Sequence, residues 1–171
     1  TGAYTSIKTD PTGAVNNIFH SSDGLTETSQ LCGMKSTLKY DLDSEYKFKY
    51  IKEAAKTSPA GLSQTSAYTK AYQDTNADKK PDLITETTTL NSKSWTMSNN
   101  VLTGIITNKS PLGRTITTQY DISNLLTKQI TVSGLNPAVY SYDIRGRLTG
   151  ITTGSRTTTI AYDANGNIDY M

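Results

Sequence analysis

The sequence predicts an all-β fold, a curved antiparallel sheet of successive β-hairpins, and three features indicate it. A phrase with Tyr, Asp and Gly at fixed offsets occupies residues 142–147 and returns at residues 162–167, which is typical of structural repeats. Apolar and polar residues alternate between the turns, as at residues 46–50, and this is the period of a half-buried strand. The 11 tyrosines outnumber the 2 phenylalanines, and tyrosine, like the abundant threonine, is common in strands.

The predicted turns share one design. Asp or Ser occupies the first of four positions, where its side-chain oxygen can accept backbone N–H bonds, and Gly occupies the fourth, where a left-handed conformation is least costly. This design predicts hairpin loops with a type I turn and a following bulge. It occurs at residues 10–13, 21–24, 58–61, 110–113, 143–146 and 163–166. Asn124 replaces glycine after Tyr120 and Asp121, and two-residue hairpin turns are predicted at residues 91–92 and 99–100.

The strands follow from the alternating segments between these turns. A helical pattern is present at residues 53–56, for a single turn. The predicted strands span residues 5–9, 15–20, 36–40, 46–51, 64–73, 83–90, 93–98, 101–107, 115–120, 126–133, 139–142, 148–153 and 157–162. We expect residues 1–171 to form a single domain, because no Pro/Gly/Ser-rich linker or block of charge divides them.

Composition and charge argue against several classes of protein. The formal net charge is +2, from 17 basic and 15 acidic residues, and the scattered Lys and Arg residues give no electrostatic footprint for nucleic acid. No apolar run reaches the roughly 18 to 20 residues that a membrane-spanning helix needs. The chain starts at Thr1 without a signal sequence, so we expect a processed product or an excised fragment.

Residues 110–167 resemble the Rhs, or YD-repeat, family. The likeness rests on a Ser-Pro-Leu-Gly-Arg turn and on three Tyr-Asp phrases, of which the second reads Tyr-Asp-x-x-Gly-Arg-Leu-Thr and the third Tyr-Asp-x-Asn-Gly-Asn. The likeness is weaker but continuous over residues 1–109. It departs from the family pattern at Asn124 and in the lack of a clear Tyr-Asp phrase between residues 41 and 120. The repeat residues are Tyr120, Asp121, Tyr142, Asp143, Gly146, Arg147, Tyr162, Asp163 and Gly166.

The resemblance implies a sheet that spirals into a hollow shell, as in bacterial polymorphic toxins, insecticidal toxin complexes and the extracellular part of teneurins. It implies a bacterial, secreted or cell-surface location and a non-enzymatic role as a segment of the shell wall. The implied partners are neighbouring repeats and an enclosed toxin segment. The family's carboxylate-based self-cleavage site is not evident, because the Asp-Pro-x-Gly turn at Asp10 lacks the following Leu and precedes the repeats.

Residues 74–82 have the spacing of a calcium loop. A hard cation such as Ca²⁺ takes oxygen ligands at loop positions 1, 3, 5 and 9 and a backbone carbonyl at position 7. Against this hypothesis, Ala77 and Lys79 occupy positions where related loops carry Gly, and Thr85 stands where a Glu is usual. A metal-free acidic turn between two strands is the alternative. The predicted ligands are Asp74, Asn76, Asp78, Asp82 and the carbonyl of Lys80.

A few individual residues and the sheet edges indicate other functions. A carbohydrate-binding or cell-surface adhesion module is the alternative function, because Trp95 and nearby tyrosines have ring faces that could stack on a surface glycan. A hydrolase is disfavoured, since His20 and Cys32 are each the single residue of their type and no third group accompanies them. Open sheet edges predict self-association, and residues 157–162, without charge or proline, are the expected contact.

Overall fold

The computed structural model describes residues 2–170, and within them every regular element is a β-strand. The strands are short and follow one another through tight turns. Their bounds are β1 (Tyr4–Thr9), β2 (Val15–His20), β3 (Thr26–Leu31), β4 (Met34–Leu42), β5 (Lys49–Thr57), β6 (Ser63–Gln73), β7 (Leu83–Leu90), β8 (Lys93–Asn100), β9 (Ile105–Lys109), β10 (Thr115–Tyr120), β11 (Thr127–Val132), β12 (Ala138–Tyr142), β13 (Leu148–Thr153), β14 (Arg156–Thr159), β15 (Ala161–Tyr162) and β16 (Ile168–Tyr170).

The strands pair in the order of the chain. A 14-stranded antiparallel sheet runs from β1 to β14 with each strand beside its sequence neighbours, and β15 pairs with β16 in a second, two-stranded sheet. Such an order needs only hairpin connections, which is what closely spaced turn residues provide. The predicted all-β fold of successive antiparallel hairpins is confirmed.

The chain forms two compact units. The first contains the residues up to Tyr72 together with Glu86–Trp95, and the second contains Gln73–Thr85 and the residues from Thr96 onward. The single domain expected from the sequence stays a prediction.

Alternate residues of the first unit line opposite faces of its strands. Residues that pair across neighbouring strands share a face, so the register defines rows of side chains. One row is rich in threonine and lies opposite a row of mixed character. The threonine row contains Thr5, Phe19, Thr28, Thr37, Ala55 and Thr65, and the mixed row contains Tyr4, His20, Glu27, Leu38, Ala54 and Ser66.

The second unit separates polar and apolar rows in the same way. Hydroxyl side chains dominate one face and aliphatic side chains the other, as period-two alternation predicts. The hydroxyl row contains Ser98, Thr107, Thr117 and Thr131, and the aliphatic row contains Asn99, Ile106, Thr118, Ile130 and Ala138.

Residues 2–170 contain no buried apolar side chain. The fully buried side chains are instead two carboxylates, Asp43 and Asp82, each 2% exposed. Backbone ladders and capped turns, rather than an apolar core, therefore hold these strands.

Two local predictions are wrong. Residues 53–56, predicted as a helical turn, lie inside β5, where they pair with both β4 and β6; pairing on two sides overrides a weak helical preference. Asn99 and Asn100, predicted as a turn, end β8 and pair with Ile106 and Ile105. The connection lies beyond them and includes Gly104, at φ 67°.

Other strand bounds also differ from the prediction. β3 was not predicted, because its sequence Thr-Glu-Thr-Ser-Gln-Leu has no apolar alternation, and it forms through pairing with β2 and β4. The strand predicted at residues 46–51 is displaced to β5, and the one at residues 101–107 to β9. In both cases the first predicted residues belong to the turn.

The predicted turns are present at most positions. Asn91 and Ser92 form the expected two-residue hairpin, with φ of 46° and 67°. After Tyr120, however, the left-handed residue is Leu125 (φ 60°) and not Asn124. This turn is one residue longer than the glycine turns. The N–H of Leu125 donates to the carbonyl of Asp121, four residues before it, at 2.7 Å, whereas the glycine N–H groups donate to the carbonyl three residues before them.

Candidate functional site

The repeat turns are closed by aspartate side chains. Asp143 Oδ1 accepts the backbone N–H groups of Arg145 and Arg147, both at 2.9 Å. The N–H of Gly146 donates to the Asp143 carbonyl at 2.9 Å, with Gly146 at φ 76°. Residues 163–167 repeat this arrangement, with donor distances of 2.9 and 2.8 Å to Oδ1 and with φ 88° at the glycine. The side chain and the left-handed residue together fix the reversal of the chain.

Hydrogen bonding keeps these carboxylates ionised. The backbone N–H of Arg147 and its side chain hold the pKa of Asp143 below its usual value. The N–H and side chain of Asn167 lower the pKa of Asp163 in the same way. The Ser123 hydroxyl, assisted by Lys128 at 2.9 Å, lowers the pKa of Asp121 well below its usual range. Each cap is therefore an anion at neutral pH.

A β-bulge stands at each tyrosine of the repeat. The register shifts at Tyr120, Tyr142 and Tyr162, so that one extra residue of the following strand lies opposite each of them. The same shift occurs at Tyr40, in the weaker part of the likeness. A bulge bends and twists its strand, so the tyrosine marks where each hairpin changes direction before its turn.

Two of the tyrosine hydroxyls connect consecutive repeats. The Tyr142 hydroxyl donates to the carbonyl of Thr127 at 2.8 Å, and Thr127 is the residue paired with Tyr120. The Tyr162 hydroxyl donates to the carbonyl of Leu148 at 2.8 Å, and Leu148 is paired with Tyr142. Each hydroxyl thus reaches the backbone opposite the preceding tyrosine. We call these two contacts the tyrosine ties.

Arg147 adds a second connection between repeats. Its Nε donates to Asp143 Oδ2 at 2.8 Å, and its guanidinium carbon lies 4.3 Å from the ring centroid of Tyr162. One side chain thus braces the turn of its own repeat and covers the tyrosine of the next through a cation–π contact. The nine repeat residues therefore act as turn caps, bulges and ties.

In the acidic loop at residues 74–82, the carboxylate oxygens accept hydrogen bonds from backbone N–H groups of the same loop. Asp74 accepts the N–H groups of Asp78 at 3.2 Å and of Lys79 at 2.8 Å, and Asp78 accepts that of Lys80 at 2.8 Å. Ala77 and Lys79 have φ of 62° and 69°. The two positions where related loops carry glycine are thus left-handed here without it, which is a strained backbone.

Asp82 anchors this loop from within. Its carboxylate accepts the N–H of Thr75 at 2.8 Å, the hydroxyl of Thr75 at 2.8 Å and the N–H of Asn76 at 3.0 Å. Burial alone would raise the pKa of Asp82, but these donors lower it. In the described part of the chain, no three Asp, Glu, His or Cys side chains converge as a metal site. Calcium binding stays a prediction.

The first unit contains an ionic network that the sequence analysis missed. The Tyr72 hydroxyl donates to Asp43 Oδ2 at 2.7 Å, and Lys70 Nζ lies 3.0 Å from Glu86 Oε1. Burial and the neighbouring Glu86 raise the pKa of Tyr68 to about 12, and Glu86 raises the pKa of Lys70. Glu86 therefore favours the protonated, ion-paired form of Lys70. The sequence feature that could have indicated this network is the alternation of Tyr68, Lys70 and Tyr72 along β6, which places the three side chains on one face of the strand.

Aromatic rings cluster beside this network. Tyr46 meets Tyr72 edge to face with centroids 5.7 Å apart, and Tyr50 meets Tyr68 at 5.6 Å. Tyr46 is 62% exposed and Phe48 49%. Exposed rings beside hydroxyl and charged groups have the chemistry of a sugar-binding surface. Trp95, singled out from the sequence, is 42% exposed on β8.

His20 and Cys32 have different surroundings. Cys32 is exposed in the turn after β3, at φ 49°. His20 stacks on Tyr4 at 4.5 Å and lies 3.4 Å from Ser6 Oγ and 3.6 Å from Glu27 Oε1. The order Ser, His, Glu resembles that of a hydrolase, but 3.6 Å is beyond hydrogen-bond distance. Strand amides engaged in ladders are also poor donors for an oxyanion. We assign no catalytic role to this group.

The turn at Asp10 is a simple capped reversal. Asp10 Oδ1 accepts the hydroxyl of Thr12 at 2.7 Å and the N–H groups of Thr12 and Ala14 at 2.8 and 3.0 Å. The Thr12 hydroxyl is the main cause of its lowered pKa. A carboxylate held ionised in this way serves a turn better than it serves acid catalysis.

No family model matches the sequence, and no curated protein matches it either. Across residues 2–170, no helix has the length and apolar character required to traverse a membrane.

Proposed function

We propose that this chain is a non-enzymatic structural segment of an Rhs-like YD-repeat shell and forms part of its β wall. The tyrosine ties are the observation that carries the proposal. Each joins the side-chain hydroxyl of a repeat tyrosine to the backbone carbonyl of the residue opposite the preceding tyrosine, so the phrase recognised in the sequence has a defined role in joining hairpins. A repeat whose signature residues contact one another serves architecture.

The absence of buried apolar side chains in residues 2–170 supports the same function. In β8–β12 a hydroxyl row and an aliphatic row lie on opposite faces, as expected for a sheet that separates two environments, which is the task of a wall. Anionic turn caps and bulges then set where each hairpin reverses and bends. In this proposal the whole protein is a secreted or surface, toxin-related bacterial protein, and the wall encloses a toxin segment.

The coding sequence on both sides of this segment tests the proposal. A YD-repeat wall continues as further Tyr-Asp-x-x-Gly phrases at similar spacing and leads to a cleavage motif and a variable toxic domain. Unrelated, non-repetitive domains on both sides would reject it. Replacing Tyr142 and Tyr162 together by Phe provides a second test, because a wall whose repeats are tied through these hydroxyls loses hydrogen-exchange protection in β11–β13.

A carbohydrate-binding or adhesion module is the second candidate. Tyr46 and Phe48 favour it, because their rings are exposed and Tyr46 contacts Tyr72, whose ring lies 5.3 Å from Lys70 Nζ. Stacking of a sugar on a ring and hydrogen bonds to charged groups are complementary contributions. A glycan array probed with the unmodified chain and with Tyr46→Ala tests it. Binding that the substitution abolishes supports the module, and no binding to any glycan rejects it.

A further inference from the structure

Two tyrosine rings of the first unit meet where an oxidant can reach them. Tyr46 lies in the turn after β4 and Tyr72 near the end of β6, and their rings meet edge to face with centroids 5.7 Å apart, a separation typical of rings in contact. Tyr46 is 62% exposed. Residues 47–71 separate the two tyrosines in the sequence, so a bond between the rings would close a loop that contains all of β5 and most of β6.

The Tyr72 hydroxyl has a proton acceptor beside it. It donates to Oδ2 of the buried Asp43 at 2.7 Å, and Oδ1 of the same carboxylate accepts the N–H of Tyr46 at 2.7 Å. Loss of an electron makes a phenol strongly acidic, and a hydrogen-bonded carboxylate can take its proton in the same step. Lys70 Nζ lies 5.3 Å from the Tyr72 ring centroid, but Glu86 pairs with it at 3.0 Å and compensates its charge. Tyr72 is therefore placed for one-electron oxidation.

We propose that Tyr46 and Tyr72 are the site of an intrachain dityrosine cross-link, formed when a haem peroxidase oxidises the two phenols with hydrogen peroxide. This modification goes beyond the proposed function and does not depend on it. The sequence has 11 tyrosines and 1 cysteine, so a disulfide cannot join two of these residues. Ring coupling is a covalent cross-link that remains open to them.

The coupling consumes one equivalent of oxidant. The peroxidase takes one electron from Tyr72, whose proton passes to Asp43, and one electron from Tyr46, whose proton passes to water. The ortho carbons of the two phenoxyl radicals then form a C–C bond. Each of these carbons loses its hydrogen as a proton, and each phenoxyl oxygen regains a proton, which restores both aromatic rings. In total, two phenols and one hydrogen peroxide give one dityrosine and two molecules of water.

A second pair of tyrosines in the same unit provides an internal comparison. Tyr50 meets Tyr68 edge to face with centroids 5.6 Å apart, but both residues are half-buried and lie within the paired strands β5 and β6. Tyr46 is exposed and belongs to a turn, where its ring can be reached by an oxidant and can rotate toward its partner. We therefore expect coupling of Tyr46 with Tyr72 to be faster than coupling of Tyr50 with Tyr68.

Oxidation of the whole chain at low protein concentration tests the site. The protein is treated with a haem peroxidase and hydrogen peroxide, and its proteolytic peptides are analysed by mass spectrometry. We expect the peptides that contain Tyr46 and Tyr72 to be joined with the loss of two hydrogen atoms, in a product whose yield does not depend on protein concentration. Tyr46→Phe should remove most of the intrachain dityrosine fluorescence. Tyr4→Phe is the matched control and should leave it unchanged, because Tyr4 is 60% exposed and stacks on His20 instead of a tyrosine.

Urea unfolding supplies a second readout. The oxidised chain should unfold at a higher urea concentration than the untreated one, because the bond closes a loop in the unfolded state. Tyr46→Phe treated in the same way should show no such shift. Cross-links that join only separate chains, intrachain products between other tyrosines, or fluorescence that Tyr46→Phe leaves unchanged would overturn the proposal. None of these outcomes bears on the wall function, which the neighbouring coding sequence tests.

Discussion

At the scale of single residues, each member of the repeated phrase has one physical task. Asp143 and Asp163 satisfy amides that a tight turn would otherwise leave unpaired. Gly146 and Gly166 occupy a left-handed conformation that a Cβ makes costly. The Tyr162 hydroxyl donates a hydrogen bond to the Leu148 carbonyl of the preceding repeat. The side chains of the phrase therefore act mainly on the backbone, by capping turns, permitting a left-handed residue and bonding a neighbouring carbonyl.

Loss of one tyrosine tie should be measurable. We expect Tyr162→Phe to lower the free energy of unfolding by about 1 kcal/mol, because it leaves the Leu148 carbonyl without its donor and changes nothing else in the ring. Tyr46→Phe is the control, since Tyr46 is 62% exposed. Urea unfolding of the three proteins gives the comparison. Equal midpoints for all of them would show that the tie contributes nothing.

The turn glycines give a second prediction. Gly146→Val and Gly166→Val should each destabilise the fold by on the order of 1 kcal/mol or more, because a β-branched residue is forced to positive φ. At Gly166 a Cβ would also lie 3.2 Å from Arg147 Nη1. Ile144→Val, in the same turn and fully exposed, should be nearly silent. Thermal unfolding midpoints test this, and no difference between the glycine and Ile144 variants would contradict the turn assignment.

At the scale of elements, the sequence was informative where turn chemistry is strong. Glycine at the fourth turn position predicted the reversals at residues 143–146 and 163–166, and alternation predicted most strands between them. β3 was missed because its residues are polar and its pairing comes from neighbours. The turn at residues 121–125 was misplaced by one residue, since a longer loop moved the left-handed position to Leu125. In the Asp43 network, alternation along β6 could indicate that Tyr68, Lys70 and Tyr72 share a face, but no local pattern encodes the contact of Tyr72 with Asp43, 29 residues away.

The acidic loop is an element whose ligand can be tested. We expect Ca²⁺ to raise thermal stability with an affinity on the order of 0.1 to 1 mM, because a cation bound only by the folded state stabilises it and the loop lacks glycine. Asp78→Ala should abolish this gain. Asp82→Asn, which changes both a predicted ligand and the anchor of the loop, should lower stability even without Ca²⁺, because it weakens a group that accepts three hydrogen bonds. A calorimetric titration without heat at several millimolar Ca²⁺ would favour the metal-free turn.

At the scale of the whole molecule, ionised turn caps replace the apolar core as the shared source of stability. Without a buried apolar side chain in residues 2–170, burial contributes less than in a compact domain. Hydrogen-bonded carboxylates recur along the chain, and all of them except Asp41, which lies in β4 and pairs with Lys52, hold a turn or loop. Those with a lowered pKa include Asp10, Asp23, Asp41, Asp43, Asp82, Asp121, Asp143 and Asp163.

These carboxylates predict the pH dependence of the fold. A carboxyl group whose pKa is lower when folded than its unfolded value of 3.8 stabilises the folded state above that value, and the contribution is lost as pH falls through the folded pKa. We therefore expect the urea midpoint to be constant from about pH 7 to 5 and to fall steadily from about pH 4 to 2. Asp143→Asn should be less stable at neutral pH and should show a shallower fall, because one titrating cap is gone. A midpoint that stays constant down to pH 2, or the same slope in the variant, would mean that the caps do not hold the turns as anions and that another interaction carries the stability of this sheet.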